Sequence, residues 1–150
     1  MSEKIAIGSD HRGVALKAIL KADMEKAGFE VDDKGPEADT SVDYPVFAGS
    51  VARDVSSGAS DRGVLICGSG IGMSIAANKF AGVRAALCHD VHTAKMCRVH
   101  NNANVLVMGE RVGSALAREM LNLWLETPFE GGRHQNRLDL ITAIEKENFR

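Results

Sequence analysis

Five short apolar runs punctuate the chain: Lys4-Ile5-Ala6-Ile7-Gly8, Phe29-Glu30-Val31, Val64-Leu65-Ile66-Cys67, Val83-Arg84-Ala85-Ala86-Leu87-Cys88 and Asn104-Val105-Leu106-Val107-Met108-Gly109. Runs without polar alternation predict strands covered on both faces, as in a parallel sheet. The second run is the weakest, and Asp32 to Pro36 after it reads as a turn-rich exit. Between the runs the apolar spacing changes from continuous to helical. Leu16, Ile19, Leu20, Met24 and Ala27 form one face, with Lys17, Lys21, Glu25 and Lys26 on the other and Gly28 as the stop. Glu37 to Tyr44 is polar and reads as loop. Pro45 suits a helix start, and Phe47, Val51 and Val55 continue that helix to Gly58. A third helix follows the glycines after Cys67 and closes at Ala81-Gly82. Asp90 caps a fourth helix running to about His100. Leu116, Ala117, Met120, Leu121 and Trp124 mark a fifth helix ending near Pro128. A last helix begins at about Arg133 and carries Leu138, Ile141 and Ile144.

Strands alternating with helices predict a single domain over residues 1–150, a three-layer α/β/α Rossmann-like fold. The favoured strand order for its five-stranded parallel sheet is the flavodoxin-like 2-1-3-4-5. In that order the ligand crevice lies between the ends of strands one and three. Asp10-His11 and Cys67-Gly68-Ser69-Gly70 follow those two strands, so they are expected to face each other.

Charge and cysteine usage narrow the function classes. Lys plus Arg total 18 against 20 Asp plus Glu, and no block of like charge occurs, so neither nucleic acid nor a membrane surface is suggested as a partner. Three cysteines, an odd number without CxxC spacing, point to a reduced cytoplasmic chain. The first apolar run is too short for a signal-peptide core, and no run is long enough to span a bilayer.

The stretch from Cys67 to Gly72 is the richest in chemistry. Its three glycines at alternate positions let backbone amides approach a ligand, and a helix start next to them favours an anion. A thiol there is in a setting that supports a thiolate; an inert buried cysteine is the competing reading. Cys88 and Cys97 lack glycine-rich neighbours and read as structural. A Walker A loop requires Gly-Lys-Ser/Thr where Met73 follows, and a dinucleotide fingerprint belongs after the first strand. A cysteine phosphatase would carry an arginine at position 73. His89 and His92 beside Asp90 form no established metal-ligand spacing. Arg133 and Arg137, four apart, are either a solvated basic face or a phosphate clamp, to which Arg111 could add.

The chain resembles the B-type ribose-5-phosphate isomerases, a family that includes the galactose-6-phosphate isomerase subunits. The resemblance runs over essentially the whole length. It is carried by Gly8-Ser9-Asp10-His11, Asp43-Tyr44-Pro45, Ile66-Cys67-Gly68-Ser69-Gly70-Ile71-Gly72, Ser74-Ile75-Ala76-Ala77-Asn78-Lys79, Gly82-Val83-Arg84-Ala85, His100-Asn101, Asn104-Val105-Leu106 and Gly131-Gly132-Arg133-His134. It implies a cofactor-independent intramolecular oxidoreductase of the pentose phosphate pathway, using no metal. Cys67 corresponds to the base that moves a proton between C2 and C1, in place of a glutamate that other members carry where this chain has Met73. His100, with Asp10 nearby, corresponds to the ring-opening residue. Ser69 and the amides of Gly68, Gly70, Ile71 and Gly72 correspond to the enediolate cradle. His11, Arg111, Arg133 and Arg137 correspond to the phosphate site, and Asn101 to a substrate contact. The resemblance also implies a homodimer or dimer of dimers, with sites completed at the subunit interface. Arg12 and Asn102 depart from the family pattern and leave open another aldose phosphate, such as allose 6-phosphate or a tetrose phosphate. A non-catalytic sugar-phosphate sensor is the reading from another class, against which the intact Cys67, His100 and Asp10 set counts.

Overall fold

The computed structural model describes residues 2–38 and 40–149; Asp39, within the predicted 37–44 loop, lies outside them. Strands β1 (Lys4–Ser9), β2 (Glu30–Asp33), β3 (Arg62–Cys67), β4 (Ala85–Leu87) and β5 (Val105–Gly109) form one parallel sheet. Helices α1 (Val14–Lys26), α2 (Tyr44–Ser57), α3 (Ile71–Ala77), α4 (Val91–Val99), α5 (Ser114–Glu126) and α6 (Arg133–Asn148) connect and flank it. The third helix is shorter than its apolar pattern predicts and ends before Gly82. Among the described residues no helix is long and apolar enough to cross a membrane.

Alternation along the strands builds two cores. Ile5, Ile7, Val64, Ile66, Leu106 and Met108 face α1, α4 and α5, where Leu20, Met24, Met120, Leu121 and Trp124 are fully buried. Ala6, Leu65, Cys67, Val105 and Val107 face α2 and α3, meeting Ala48, Val51, Ala52, Met73 and Ala77. Each fully buried Leu, Ile or Met contributes about 1.5–3 kcal/mol through removal from water. Lys17 departs from its predicted solvent face. It is 3 % exposed, with its ammonium bonded to both Asp33 oxygens at 2.6 and 2.8 Å.

The order is β2-β1-β3-β5-β4, so the expected order of the last two strands is corrected. The physical reason lies in side-chain volume and polarity. Val105-Leu106-Val107-Met108 is fully buried, as a central strand covered by helices on both faces must be. Ala85-Ala86-Leu87 is three residues long, half-buried and preceded by Arg84, which suits a short edge strand. The exchange sets β5 beside β3, pairing Gly109 with Cys67.

The last helix also departs from a purely internal role. His134 and Leu138 are its buried residues, while Leu140, Ile141 and Ile144 are 67, 49 and 59 % exposed.

Candidate active site

The crevice expected between β1 and β3 is present. Past the end of β1, the Asp10 carboxylate caps a 3-10 turn over His11–Gly13, its Oδ1 accepting from the N–H groups of Arg12 at 3.0 Å and Gly13 at 3.1 Å. The Asp10 N–H donates to the Ile66 carbonyl at 3.0 Å, which fastens this turn to β3. Capping and burial together hold the carboxylate, 8 % exposed, in one orientation.

Cys67 is the last residue of β3, and the chain turns back over its sulfur. The Gly70 N–H donates to Cys67 Sγ at 3.1 Å, and the Ile71 N–H to Ser69 Oγ at 3.3 Å. Gly70 has φ +82°, a left-handed conformation that costs a side-chain-bearing residue energy. A Cβ there would lie 2.5 Å from Leu87 Cδ1 and 3.0 Å from the Met108 carbonyl carbon. Gly109 is equally cramped: its Cβ would be 2.8 Å from the Gly68 carbonyl oxygen. A Cβ on Gly72 would overlap the Tyr44 ring. The glycines therefore allow three backbone segments and one aromatic ring to close around the thiol. With α3 only seven residues long, the directed loop N–H groups matter more than the helix dipole.

A cavity of about 430 Å³ opens on this turn, lined by Asp10, Arg12, Tyr44, Cys67, Gly68, Ser69, Gly72 and Arg111. Arg111 reaches it because β5, not β4, neighbours β3. A second cavity of about 340 Å³ is lined by His100, Asn101, Arg133, His134, Arg137, Leu138 and Ile141. The predicted site residues thus divide into two groups. Asp10, Cys67, Gly68, Ser69, Gly72 and Arg111 share the first cavity; His100, Asn101, Arg133 and Arg137 share the second. Gly70 and Ile71 support the turn through their amides. His11 is in neither lining, although its neighbours Asp10 and Arg12 line the first cavity, and its Nδ1 accepts from the Val42 N–H at 3.3 Å. Tyr44 is the residue to which sequence reasoning gave no role. Its only signal is the Asp43-Tyr44-Pro45 block, because its contact with Gly72 arises from packing of α2 on α3.

A larger cavity, about 830 Å³, lies at the opposite end of the sheet and is a poor reaction site. Arg62 there pairs with Glu3 and donates to the Trp124 and Leu125 carbonyls. Arg98 donates to the Thr127 and Ala103 carbonyls, and Arg84 to those of Asn102 and Gly82. Burial holds Arg84 and Arg98 below the ordinary guanidinium range. Cys88 and Cys97 face each other with sulfurs 3.8 Å apart. That contact places the Cys88 thiol below its usual range and pushes the Cys97 thiol up.

A family model described as Ribose/Galactose Isomerase matches residues 5–141. Ribose-5-phosphate isomerase B of Escherichia coli strain K12 is 49 % identical over 145 residues, 96 % of this chain and 97 % of that protein. D-erythrulose-4-phosphate isomerase of Pectobacterium atrosepticum is 39 % identical over 146 residues, 95 % of each chain. The crystal structure of ribose-5-phosphate isomerase B from Mycoplasma genitalium, with bound ribulose-5-phosphate, superposes with a TM-score of 0.95 at 44 % identity, covering 99 % of both chains.

Proposed function

The chain belongs to the ribose/galactose isomerase family, and from that premise we propose that it interconverts ribose 5-phosphate and ribulose 5-phosphate through a cis-enediolate. The observation that carries the mechanism is the Gly70 N–H aimed at Cys67 Sγ in the wall of a cavity shared with Asp10 and Ser69. An N–H donated to sulfur favours negative charge there, which a thiol needs in order to accept a proton. The ribulose 5-phosphate bound in the Mycoplasma relative supports the substrate.

The reaction begins with the furanose. His100, assisted by Asp10, moves the proton between ring oxygen and anomeric hydroxyl that opening requires. The Cys67 thiolate then takes the C2 proton, leaving a thiol and an enediolate. Ser69 and the loop amides hold the developing oxyanion by preorganised hydrogen bonds. The same thiol, its proton exchanging with solvent while the enediolate is held, delivers a proton to C1 as O1 gains one and O2 loses one, and the thiolate is restored. No electrons leave the sugar, so the balance requires no redox partner. The phosphate, held by Arg111, Arg133, Arg137 and His11, supplies binding energy remote from the reacting carbons.

The division of the site residues between two cavities with no residue in common supports completion by a second copy. We infer a homodimer in which His100, Asn101, Arg133 and Arg137 of one subunit complete the Cys67 cavity of the other. Exposed Ile71 and Ile75 on α3 and Ile141 and Ile144 on α6 supply apolar surface for such an interface. The enzyme acts in the cytoplasm as part of pentose phosphate metabolism.

A second reading, isomerisation of a tetrose phosphate, is favoured by the Pectobacterium relative and by the bulk of Arg12 and Tyr44 at the cavity wall. The test is ketose formation from ribose 5-phosphate, allose 6-phosphate and erythrose 4-phosphate, each with and without EDTA. Preference for ribose 5-phosphate, insensitive to EDTA, is expected. Preference for another sugar reassigns the substrate, and loss of activity in EDTA overturns the thiol-only mechanism.

A further inference from the structure

We propose that His134 is a positioning residue that holds the His100 imidazole for ring opening, with Glu130 as its charge partner. The inference rests on the isomerase reading above and deepens it. The two imidazoles stack with centroids 4.6 Å apart and planes 24° from parallel. His134 belongs to the first turn of α6 and is 5 % exposed, whereas His100 at the end of α4 is exposed. The buried ring is therefore the platform and the exposed ring the working group.

Packing alone does not explain a histidine at this position. His134 Nε2 is buried without a hydrogen-bond partner, an arrangement that native interiors seldom tolerate. The nearest anion is Glu130, whose Oε1 lies 3.6 Å from Nε2, just beyond hydrogen-bonding distance. A phenylalanine would fill the same space without leaving a polar atom unpaired. The backbone ties the two segments together. The Glu130 N–H donates to the Val99 carbonyl at 3.1 Å, and the His134 N–H to the Gly131 carbonyl at 3.1 Å. Val99 immediately precedes His100, so stack, carboxylate and working imidazole are fixed in one small unit. During ring opening His100 alternates between imidazole and imidazolium. The flat face of His134 restricts rotation of the His100 ring, and the carboxylate 3.6 Å from His134 Nε2 orients that face.

The experiment exploits the open chain of ribulose 5-phosphate. Its C2 ketone cannot close a furanose because O5 carries the phosphate, so exchange of its C1 hydrogen with solvent deuterium bypasses ring opening. Turnover of ribose 5-phosphate requires it. For the wild type, His134→Ala, His134→Phe and Glu130→Gln, the ratio of ribose 5-phosphate turnover to C1 exchange is measured. The ratio is expected to fall about tenfold or more in His134→Ala and about threefold in Glu130→Gln, with His134→Phe recovering part of the loss by restoring the stack. A ratio within about twofold of wild type in His134→Ala overturns the proposal, since a merely structural role lowers both rates together. If His134→Ala does not fold, Glu130→Gln decides, because its side chain is 58 % exposed and its loss spares the core. Absence of both C1 exchange and ribose 5-phosphate turnover in the wild type would instead remove the isomerase reading itself.

Discussion

Replacing Gly70 by alanine tests whether the closed turn over Cys67 is a catalytic device or an ordinary loop. Two costs add. The φ of +82° places an L-residue in the left-handed region, at about 1–2 kcal/mol. The new Cβ also meets Leu87 Cδ1 at 2.5 Å, the Met108 carbonyl carbon at 3.0 Å and the Gly109 nitrogen at 3.1 Å. Leu87 can rotate, but the other two atoms belong to the central strand β5 and do not yield. Overpacking of that kind costs about 1–3 kcal/mol, for a total of about 2–5 kcal/mol. Gly58 supplies the control, because it has φ +84° with nothing within 4 Å of a built Cβ. Gly58→Ala should therefore show the backbone cost alone, about 1–2 kcal/mol, with full activity. Relief of the clash at Gly70 must lift the turn and carry its N–H away from Cys67 Sγ. Loss of one preorganised donor is expected to lower kcat about a hundredfold. Urea unfolding and steady-state kinetics on both variants provide the readouts. Equal stability losses at the two positions, with kcat of Gly70→Ala unchanged, would refute the reasoning.

Further outcomes follow from the same geometry. Arg137→Ala should raise KM for ribose 5-phosphate about tenfold or more with little change in kcat, since it removes charge-assisted binding remote from the reacting carbons; an unchanged KM moves the phosphate site elsewhere. Arg62→Ala should cost about 1–3 kcal/mol in urea unfolding, because it leaves the buried Trp124 carbonyl and the part-buried Leu125 carbonyl without their donor and removes the guanidinium stacked 4.5 Å over the Trp124 ring. A loss below about 1 kcal/mol would show that these contacts are replaced by water. Mixing inactive Cys67→Ala with inactive His100→Ala should restore roughly a quarter of wild-type activity after subunit exchange, since half of randomly formed dimers hold one intact site of two. Mixtures that stay inactive despite proven exchange would place the whole site within one chain.

The layer architecture was legible because five apolar runs and their helical intervals each agree locally with the final element. The crevice was legible for a related reason: Asp10 follows β1 and Cys67 ends β3, the two strands that meet at the switch point. The positions of β4 and β5 were not, since two interior runs of similar length differ chiefly in side-chain volume. That exchange decides where Arg111 goes. Lys17 looked solvated because helical spacing alone does not reveal Asp33 on the neighbouring strand. Tyr44 gained its place from a contact with Gly72, 28 positions along the chain. The division of His100, Arg133 and Arg137 from Cys67 was equally hidden, because it depends on how α4 ends and α6 begins rather than on any strand. The glycine turn shows the reverse case: its residues pointed to a ligand, and the structure reveals that they also admit β5 backbone and the Tyr44 ring.

The most direct test of the central claim is solvent-deuterium exchange at C1 of ribulose 5-phosphate, followed by NMR with the wild type and Cys67→Ala. Cys67 as the base predicts rapid exchange by the wild type and none above background by the variant, with phosphate binding retained. Exchange by Cys67→Ala at the wild-type rate would contradict the account, for the carbon-bound proton would then be moving through another group.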